Sequence, residues 1–408
     1  MPTTPAASCP AGSAVRRLAA RPRAVIMQPT TLCRPLDCTY CYLPLRKTRH
    51  VMPVTVAEAV AGPVNTWARE DPRFEVVWHG GEPLSAGREH LARLMAPFRG
   101  AKHTVQTNAA LIDDAWCEFF AARDVAVGVS LDGPEEMNSR RITRAGHPAY
   151  RVIRRGIDRL RDHSIHFDVI AVVSAPDPAR AADLYGFFAG LGCRTLGVNI
   201  EEHEGVNTAR HDLSRAAEFW EALTAAWQAR PVIQVREVSR VLDFARTILD
   251  GDGDGDGDGD GEGDGDGEGD GDGDGEGASV VASSPARSPW DPLPTITYDG
   301  GVVLLSPELA NFHDRRLGDF TTGNVLHTGL KVLLAEAEQR TRWLPEFWRG
   351  VDACKATCSY FDFCGGAHPA NRYFEHNGRM DGTRTRYCTA SKIALFEGVT
   401  RHAHAHGH

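Results

Sequence analysis

The sequence predicts an α/β fold built on a parallel sheet. Three observations carry that prediction. Six short strand-like runs each lead into a longer segment with helical periodicity. Several of those segments carry helix-start chemistry. The unusual, glycine- or cysteine-bearing loops all follow the first four strands, and right-handed crossovers place every strand C-terminus on one rim. The sheet is open or curled into a barrel, and function is expected on that rim.

Val25–Met27 opens the series, and its helix over Val54–Arg69 begins with Thr55-x-x-Glu58, a capping-box pattern. Phe74–Trp78 precedes a helix over Arg88–Phe98, and His103–Gln106 precedes Asp113–Ala122. Ala126–Ser130 precedes Ala149–His163, where Ile153, Gly156, Ile157 and Leu160 share one face and the arginines lie largely elsewhere. Phe167–Val173 leads to Pro178–Leu191, with Asp177 as N-cap and Pro178 at the first helical position. Thr195–Ile200 leads to Leu213–Ala229. Residues 23–230 therefore form one α/β unit. Residues 231–293 read as a connector. A hairpin over Thr295–Leu305, turning at Asp299-Gly300-Gly301, opens a Cys-rich unit over residues 294–395. Residues 1–22 read as a disordered arm. The tail 396–408, where His402, His404, His406 and His408 alternate with small residues, also reads as disordered.

At 408 residues, with 42% hydrophobic and 24% charged positions, the chain has length for two or three domains and a sizeable core. The net charge of −9 is concentrated: residues 250–277 alternate Gly with 14 carboxylates, leaving +5 on the rest. That run reads as an extended tether rather than a calcium loop, since it fixes no particular ligand positions. No strong basic stripe points to nucleic acid. No apolar run is long enough for a membrane span, and arginines interrupt the N-terminus before a signal-peptide core can form. The expectation is a cytoplasmic protein. Ten cysteines without a signal peptide read better as metal ligands than as a disulfide framework. Cys117 and Cys193 read as buried apolar residues and Cys9 as part of the arm.

Cys33, Cys38 and Cys41 follow the first strand within nine residues. Three thiolates can hold three corners of an iron–sulfur cube and leave one iron open. The alternatives are a zinc site completed by His50 or a distant residue, and a chance grouping of structural thiols. Strand two ends in Trp78-His79-Gly80-Gly81-Glu82-Pro83, where paired glycines allow close backbone approach to a ligand and Glu82 can pair with an ammonium group. Strand three ends in Gln106-Thr107-Asn108 and strand four in Ser130-Leu131-Asp132-Gly133. Read singly, each is an ordinary turn or a helix cap. Together, beside a three-Cys loop, they form a conjunction that those readings do not anticipate.

This set resembles the radical S-adenosylmethionine (radical SAM) enzymes, whose loop is Cys-x3-Cys-x2-Cys with an aromatic before the last Cys, here Tyr40. The chain departs by one extra residue between Cys33 and Cys38, placing a bulge near Arg34–Pro35. The resemblance implies a partial (β/α)6 barrel and a 4Fe–4S cluster on Cys33, Cys38 and Cys41. It further implies S-adenosylmethionine held by the cluster, Gly80, Gly81, Glu82, Asn108, Ser130 and Asp132, and a flavodoxin or ferredoxin as electron donor. The implied chemistry is reductive cleavage of SAM to a 5′-deoxyadenosyl radical that removes a hydrogen atom from an unactivated carbon.

Cys354-x3-Cys358-x5-Cys364, followed by Cys388, can saturate zinc or a closed 4Fe–4S cluster. Beside a radical SAM unit this pattern resembles a SPASM domain. The family's Cys-Gly-Gly-x-Cys run ends here in His368, and the hairpin that would carry further ligands has no Cys before Ser306-Pro307-Glu308-Leu309. The resemblance implies one auxiliary 4Fe–4S cluster. His368 reads as a non-ligand and Glu308 as a loop carboxylate that could face substrate. Gln28-Pro29-Thr30-Thr31, Cys41-Tyr42-Leu43-Pro44, Ser306-Pro307-Glu308-Leu309 and Gly323-Asn324-Val325 are most similar to maturases of ribosomal precursor peptides, within them the cyclophane-forming group. Another SPASM reaction, such as thioether or formylglycine formation, and a zinc-stabilised peptide-binding scaffold remain alternatives.

Overall fold

The computed structural model describes residues 17–251 and 290–406. The acidic repeat from residue 252 on, Cys9 and His408 lie outside the described residues. The first half alternates β1 (Ala24–Met27), α1 (Val54–Glu70), β2 (Glu75–Trp78), α2 (Arg88–Met95), β3 (Lys102–Thr107) and α3 (Asp114–Ala122). It continues with β4 (Val125–Ser130), α4 (Tyr150–Asp162), β5 (Phe167–Val173), α5 (Pro178–Leu191), β6 (Thr195–Ile200) and α6 (Ala216–Ala229). Short β7 (Gln234–Val235) and helix α7 (Arg236–Gly251) follow.

Strands β1 to β7 pair in parallel and in sequence order. Met27 stands opposite Trp78, Ser130 opposite Ile170 and Val173 opposite Ile200, so the strand C-termini share one rim. On the other side of β1 lies β8 (Thr295–Ile296), then β9 (Gly301–Val303), which pairs antiparallel with it. After the small ribbon of β10 (His313–Asp314) and β11 (Gly318–Asp319), β12 (Thr321–Asn324) ends the sheet. The ten-stranded order is β12-β9-β8-β1-β2-β3-β4-β5-β6-β7. Its end strands do not meet, so six strand–helix units form a partial barrel to which the second half of the chain adds strands directly.

The helices cover the sheet through the faces their periodicity defines. On α4, Ile153, Gly156, Ile157 and Leu160 are buried while the arginines point outward. Each such aliphatic contributes about 1.5–3 kcal/mol of burial. Asp177 caps α5 through Ala179 N–H at 3.1 Å, and Gly192 closes the helix in the left-handed conformation. Cys117 and Cys193 are buried. The capping box expected at Thr55 and Glu58 does not form. Pro53 is the N-cap, so Thr55 already sits inside α1, and no side chain caps its start.

The remaining helices are α8 (Leu330–Ala335), α9 (Ala337–Arg340), α10 (Leu344–Thr357), α11 (Phe361–Cys364), α12 (Pro369–Glu375), α13 (Arg386–Cys388) and α14 (Ala394–Ala405). Three expectations of disorder or linker are corrected here. Arg17 and Leu18 are held: both backbone amides donate to Glu338 Oε1, and Leu18 is buried. The connector from residue 231 begins as structure, because Val238 and Val241 bury an apolar face of α7 and Glu237 accepts from Val198 N–H at 2.8 Å. The described part of the His-rich tail belongs to α14, which packs on α6. A Cβ at Gly398 would lie 2.5 Å from the Ala217 carbonyl oxygen, Val399 is buried, and His402 bonds Gln228. Alternation with small residues had hidden a helical face, since Leu395, Val399 and His402 fall on one side.

Candidate active site

The loop after β1 carries the first cysteines and is pinned by its threonines. Thr30 Oγ1 donates to the His50 carbonyl at 2.7 Å and Thr31 Oγ1 to that of Thr48 at 2.6 Å. Turns close from Leu36 N–H to the Cys33 carbonyl and from Cys41 N–H to that of Cys38. The Arg34–Pro35 bond is cis, and the Pro35 carbonyl accepts from Arg144 N–H in the loop after β4. Asp37 ties the loop to Arg46 and Lys47, both at 2.9 Å.

The three thiols converge. Cys33 and Cys41 share a side-chain hydrogen bond that, together with burial, pushes the Cys33 thiol well up; the same bond lowers the Cys41 thiol against its burial. Burial pushes Cys38 up to about 11, opposed by the Arg141 guanidinium beside it. Among the described residues no three His, Cys, Asp or Glu side chains form a group that could hold a single metal ion. A lone tetrahedral zinc would need its sulfurs within about 4 Å of one another. Three thiols converging from one loop match the donor set of a larger cluster. His50, the candidate fourth zinc ligand, stacks instead on Tyr298 at 4.6 Å.

The glycine pair acts first on protein. A Cβ on Gly81 would lie 2.1 Å from the Thr30 carbonyl oxygen, so only glycine lets the loop after β2 lie against the cysteine loop. Gly80 accepts from Gln28 Nε2 at 2.6 Å, and Glu82 N–H donates to the Leu32 carbonyl. The Glu82 carboxyl is buried and takes three donors: Leu84 N–H, Thr107 Oγ1 at 2.6 Å and Asn108 N–H at 2.8 Å. Burial still pushes it up to about 7. Glu82 thus locks the loops after β2 and β3 together. Asn108 forms a local turn to Ala110 N–H, and Ser130 Oγ accepts from Gln106 Nε2 at 3.1 Å.

Tyr40 and Asp132 meet within electrostatic reach of Cys38. The phenol donates to Asp132 Oδ2 at 2.9 Å, while Oδ1 accepts from Arg141 Nη2 at 2.8 Å and Val172 N–H at 2.9 Å. Arg141 lies over the Tyr40 ring. Every one of these bonds is to protein, so this buried network positions Cys38 rather than presenting a free carboxylate. Sequence reasoning missed Arg141. Nothing in its local pattern distinguishes it from Arg140.

The second cysteine group surrounds a buried arginine. Cys354 lies in α10 and Cys358 caps that helix, its N–H donating to the Cys354 carbonyl at 2.8 Å. Cys364 ends α11 and Cys388 ends α13. Burial raises the Cys388 thiol, and the charges of Cys364 and Cys354 raise it further, so these three sulfurs are electrostatic neighbours. Arg372, 0% exposed, donates from Nη2 to Cys354 Sγ at 3.1 Å and to the Gly366 carbonyl at 2.6 Å. A buried cation of this kind suits the anionic charge of a thiolate-held cluster.

Between the two groups lies a cavity of about 90 Å³, bounded by the loop after β6, the turn after β9, and α7, α12 and α13. Glu202, Glu204 and Glu308 line one part of it, Arg240, Lys392 and His368 another. Tyr42 is within electrostatic reach of Cys41, Cys33, Glu204 and Glu308, and its carbonyl accepts from Val206 N–H. At the far side Lys392 lies 5.5 Å from the Tyr387 ring centre and feels the charge of Cys364. Burial lowers Lys392 to about 7 and His368 to about 3. Glu308 faces this cavity, as its place in the turn allowed. Glu202 and Glu204 were missed. Their signal was available: Glu201-Glu202-His203-Glu204 directly follows a strand on the functional rim.

Comparisons with known proteins agree with this geometry. Residues 27–184 match the family model of the radical SAM superfamily. The chain is 29% identical over 382 residues to an uncharacterized protein of Synechocystis sp., covering 89% of this chain and 87% of that one. It is 32% identical over 191 residues to the serine-type anaerobic sulfatase-maturating enzyme of Bacteroides thetaiotaomicron, covering 43% of this chain and 46% of the enzyme. The chain thus spans about half the length of the sulfatase-maturating enzyme it matches. Its fold is similar to that of anSMEcpe with bound AdoMet and the Kp18Cys peptide, with TM-score 0.66, 19% identity and coverage of 94% and 97%. The chain has an α/β fold with a parallel-rich sheet and a Cys-rich C-terminal region, and within it residues 27–184 are similar to the radical SAM superfamily. Among the described residues no helix is long and apolar enough to cross a membrane.

Proposed function

We propose that this protein is a radical SAM enzyme that modifies a ribosomally made precursor peptide, joining an aromatic ring to a side-chain β-carbon as a cyclophane crosslink. The observation that carries the reading is the cavity between two cysteine groups: Tyr42 touches the environment of Cys41, and Lys392 that of Cys364. A peptide seated there would lie between a hydrogen-abstracting centre and an electron acceptor, the arrangement an oxidative crosslink requires.

Cys33, Cys38 and Cys41 would hold a 4Fe–4S cluster, and Cys354, Cys358, Cys364 and Cys388 one auxiliary 4Fe–4S cluster. When bound, the first cluster and SAM supply a 5′-deoxyadenosyl radical on one-electron reduction by a flavodoxin or ferredoxin. The chain's own residues prepare the site. Arg141 beside Cys38 favours the thiolate, and Arg372 donates a hydrogen bond to Cys354 Sγ. Gly81 and Glu82 fix the loop that would face SAM, with Gly80, Asn108 and Ser130 beside it; Tyr40 and Asp132 brace it through Arg141. Half-buried His79 and Tyr42 are joined at 3.3 Å beside the cysteine loop.

A second reading is oxidation of a substrate Cys or Ser to formylglycine, favoured by the identity shared with a sulfatase-maturating enzyme. Co-expression with the precursor peptide and mass spectrometry separate the two. A crosslink removes two hydrogens per linkage and keeps any sulfur, whereas Cys-to-formylglycine conversion loses sulfur. Loss of two hydrogens also fits Ser oxidation or a thioether, so fragmentation and thiol labelling complete the assignment. Anaerobically purified protein should hold about eight irons with matching sulfide and release 5′-deoxyadenosine on reduction. About two zinc ions, no sulfide and no SAM cleavage would replace the enzyme with a peptide-binding scaffold.

A further inference from the structure

We infer that the cavity between the two cysteine groups receives a basic side chain, Lys or Arg, of the substrate peptide. The inference rests on the peptide-modifying reading above and names what its substrate must carry. Glu202 and Glu204 come from the loop after β6 and Glu308 from the turn after β9, so two distant segments deliver three carboxyls to one space. Of the cations nearby, Arg236 pairs with Glu237, and Arg140 and His211 pair with Glu201. Arg240 and Lys392 line the far part of the cavity, Lys392 over the Tyr387 ring and within electrostatic reach of Glu202.

An independent observation points the same way. Asn371 is 1% exposed, and its Nδ2 donates to the Glu202 carboxyl. Its Oδ1 is buried with no partner among the described residues. The site therefore presents an unfilled neutral acceptor next to three carboxyls. Burial, with repulsion from neighbouring carboxylates, pushes Glu202 up to about 8 and raises Glu204 well above its usual range, and burial alone pushes Glu308 up to about 7. A ligand that brings donors and positive charge relieves both conditions.

The chemistry of that ligand is narrow. An aliphatic side chain would leave every acceptor unmet, and an acidic one would add repulsion. An ammonium offers three donors and a guanidinium five. Because Val206, two residues from Glu204, bonds to the Tyr42 carbonyl, the captured side chain would anchor the peptide beside the first cysteine loop.

The test uses the full chain, anaerobically reconstituted and loaded with SAM. The probes are acetylated, amidated Gly-Lys-Gly and Gly-Arg-Gly, with norleucine and glutamate in the central position as controls. Binding is followed by ligand-observed NMR. At least one basic peptide should bind about tenfold or more tighter than the norleucine peptide. Glu308→Gln and Glu204→Gln should each reduce that preference several-fold at unchanged melting temperature. Equal affinity for the lysine, arginine and norleucine peptides, or no binding of either basic peptide at millimolar concentration, overturns the inference on wild-type protein alone. So does a preference that survives both substitutions. Release of 5′-deoxyadenosine from the same preparation reports the proposed chemistry separately. Cleavage without a basic preference sinks the pocket, while a basic preference without cleavage sinks the chemistry.

Discussion

Replacing Arg372 by Met tests the second cysteine group most directly. The guanidinium is fully buried and bonds Gly366 and Gly382 carbonyls together with Cys354 Sγ. It also lies 5.6 Å from the centre of the Phe347 ring. Methionine fills most of the same volume but donates nothing. Two carbonyls are stranded, each costing about 1–3 kcal/mol, and a charge-assisted contact to sulfur is lost. Some of this is offset because no charge need be desolvated, so about 3–5 kcal/mol of destabilisation is expected. At about 2 °C per kcal/mol for a large domain, the melting temperature should fall by about 6–10 °C. Iron content should drop by about four per chain while SAM cleavage by the first group persists. Arg372→Lys, which keeps the charge but loses the fork, should fall between the two. Wild-type melting and wild-type iron in Arg372→Met would refute the claim that this cation organises the site. Differential scanning fluorimetry and an iron–sulfide assay decide it.

Four further outcomes are expected. Gly81→Ala, whose Cβ would press on the Thr30 carbonyl, should cut 5′-deoxyadenosine formation at least about tenfold with the circular dichroism spectrum unchanged. Cys38→Ala should abolish it, with loss of the iron–sulfur absorbance of the first group but not the second. Stability should fall as pH rises: Glu82 ionises near 4.5 when unfolded but at about 7 when folded, so the folded state holds the extra proton across that window. Ionisation above it costs about 3 kcal/mol at most, and Glu82→Gln should flatten the slope of melting temperature between pH 5 and 8. Gly398→Val, forced against the Ala217 carbonyl and Trp220, should lift α14 from α6 and lower the melting temperature by several degrees, read by scanning fluorimetry.

What could be read from the sequence is what depends on near neighbours. Phe167–Val173, Pro178–Leu191 and Thr195–Ile200 were predicted residue for residue because alternation, an N-cap and a C-cap glycine are local signals. Cys33, Cys38 and Cys41 were legible for the same reason, since one loop supplies all three. What failed was decided by partners far along the chain. Thr55 matched a capping pattern, yet Pro53 had already set the helix start. The tail looked structureless because the surface α14 covers belongs to α6, some 180 residues earlier, and no local pattern encodes a surface to pack on. Arg141, which bonds Asp132 and lies over Tyr40, was invisible for the same reason, because its partners sit on other segments.

The carboxylate cavity shows the same limit from the functional side. Glu202 and Glu204 are separated from Glu308 by about a hundred residues, and from Asn371 by more. Each alone is an ordinary loop residue. Only the addition of β8 to the edge of β1 brings the turn after β9 into the same space as the loop after β6. The sheet that makes the first half a partial barrel therefore also fixes where the second half can place charge. Lengthening the turn after β9 by one residue, between Ser306 and Pro307, should move Glu308 and leave the β8–β9 turn and its contacts beside the cysteine loop intact. If the three carboxyls act together on a basic side chain, that insertion should weaken binding of the lysine peptide as much as Glu308→Gln does, with the rate of SAM cleavage unchanged. An insertion that slows cleavage but spares lysine binding would show that the turn serves the first cysteine loop instead.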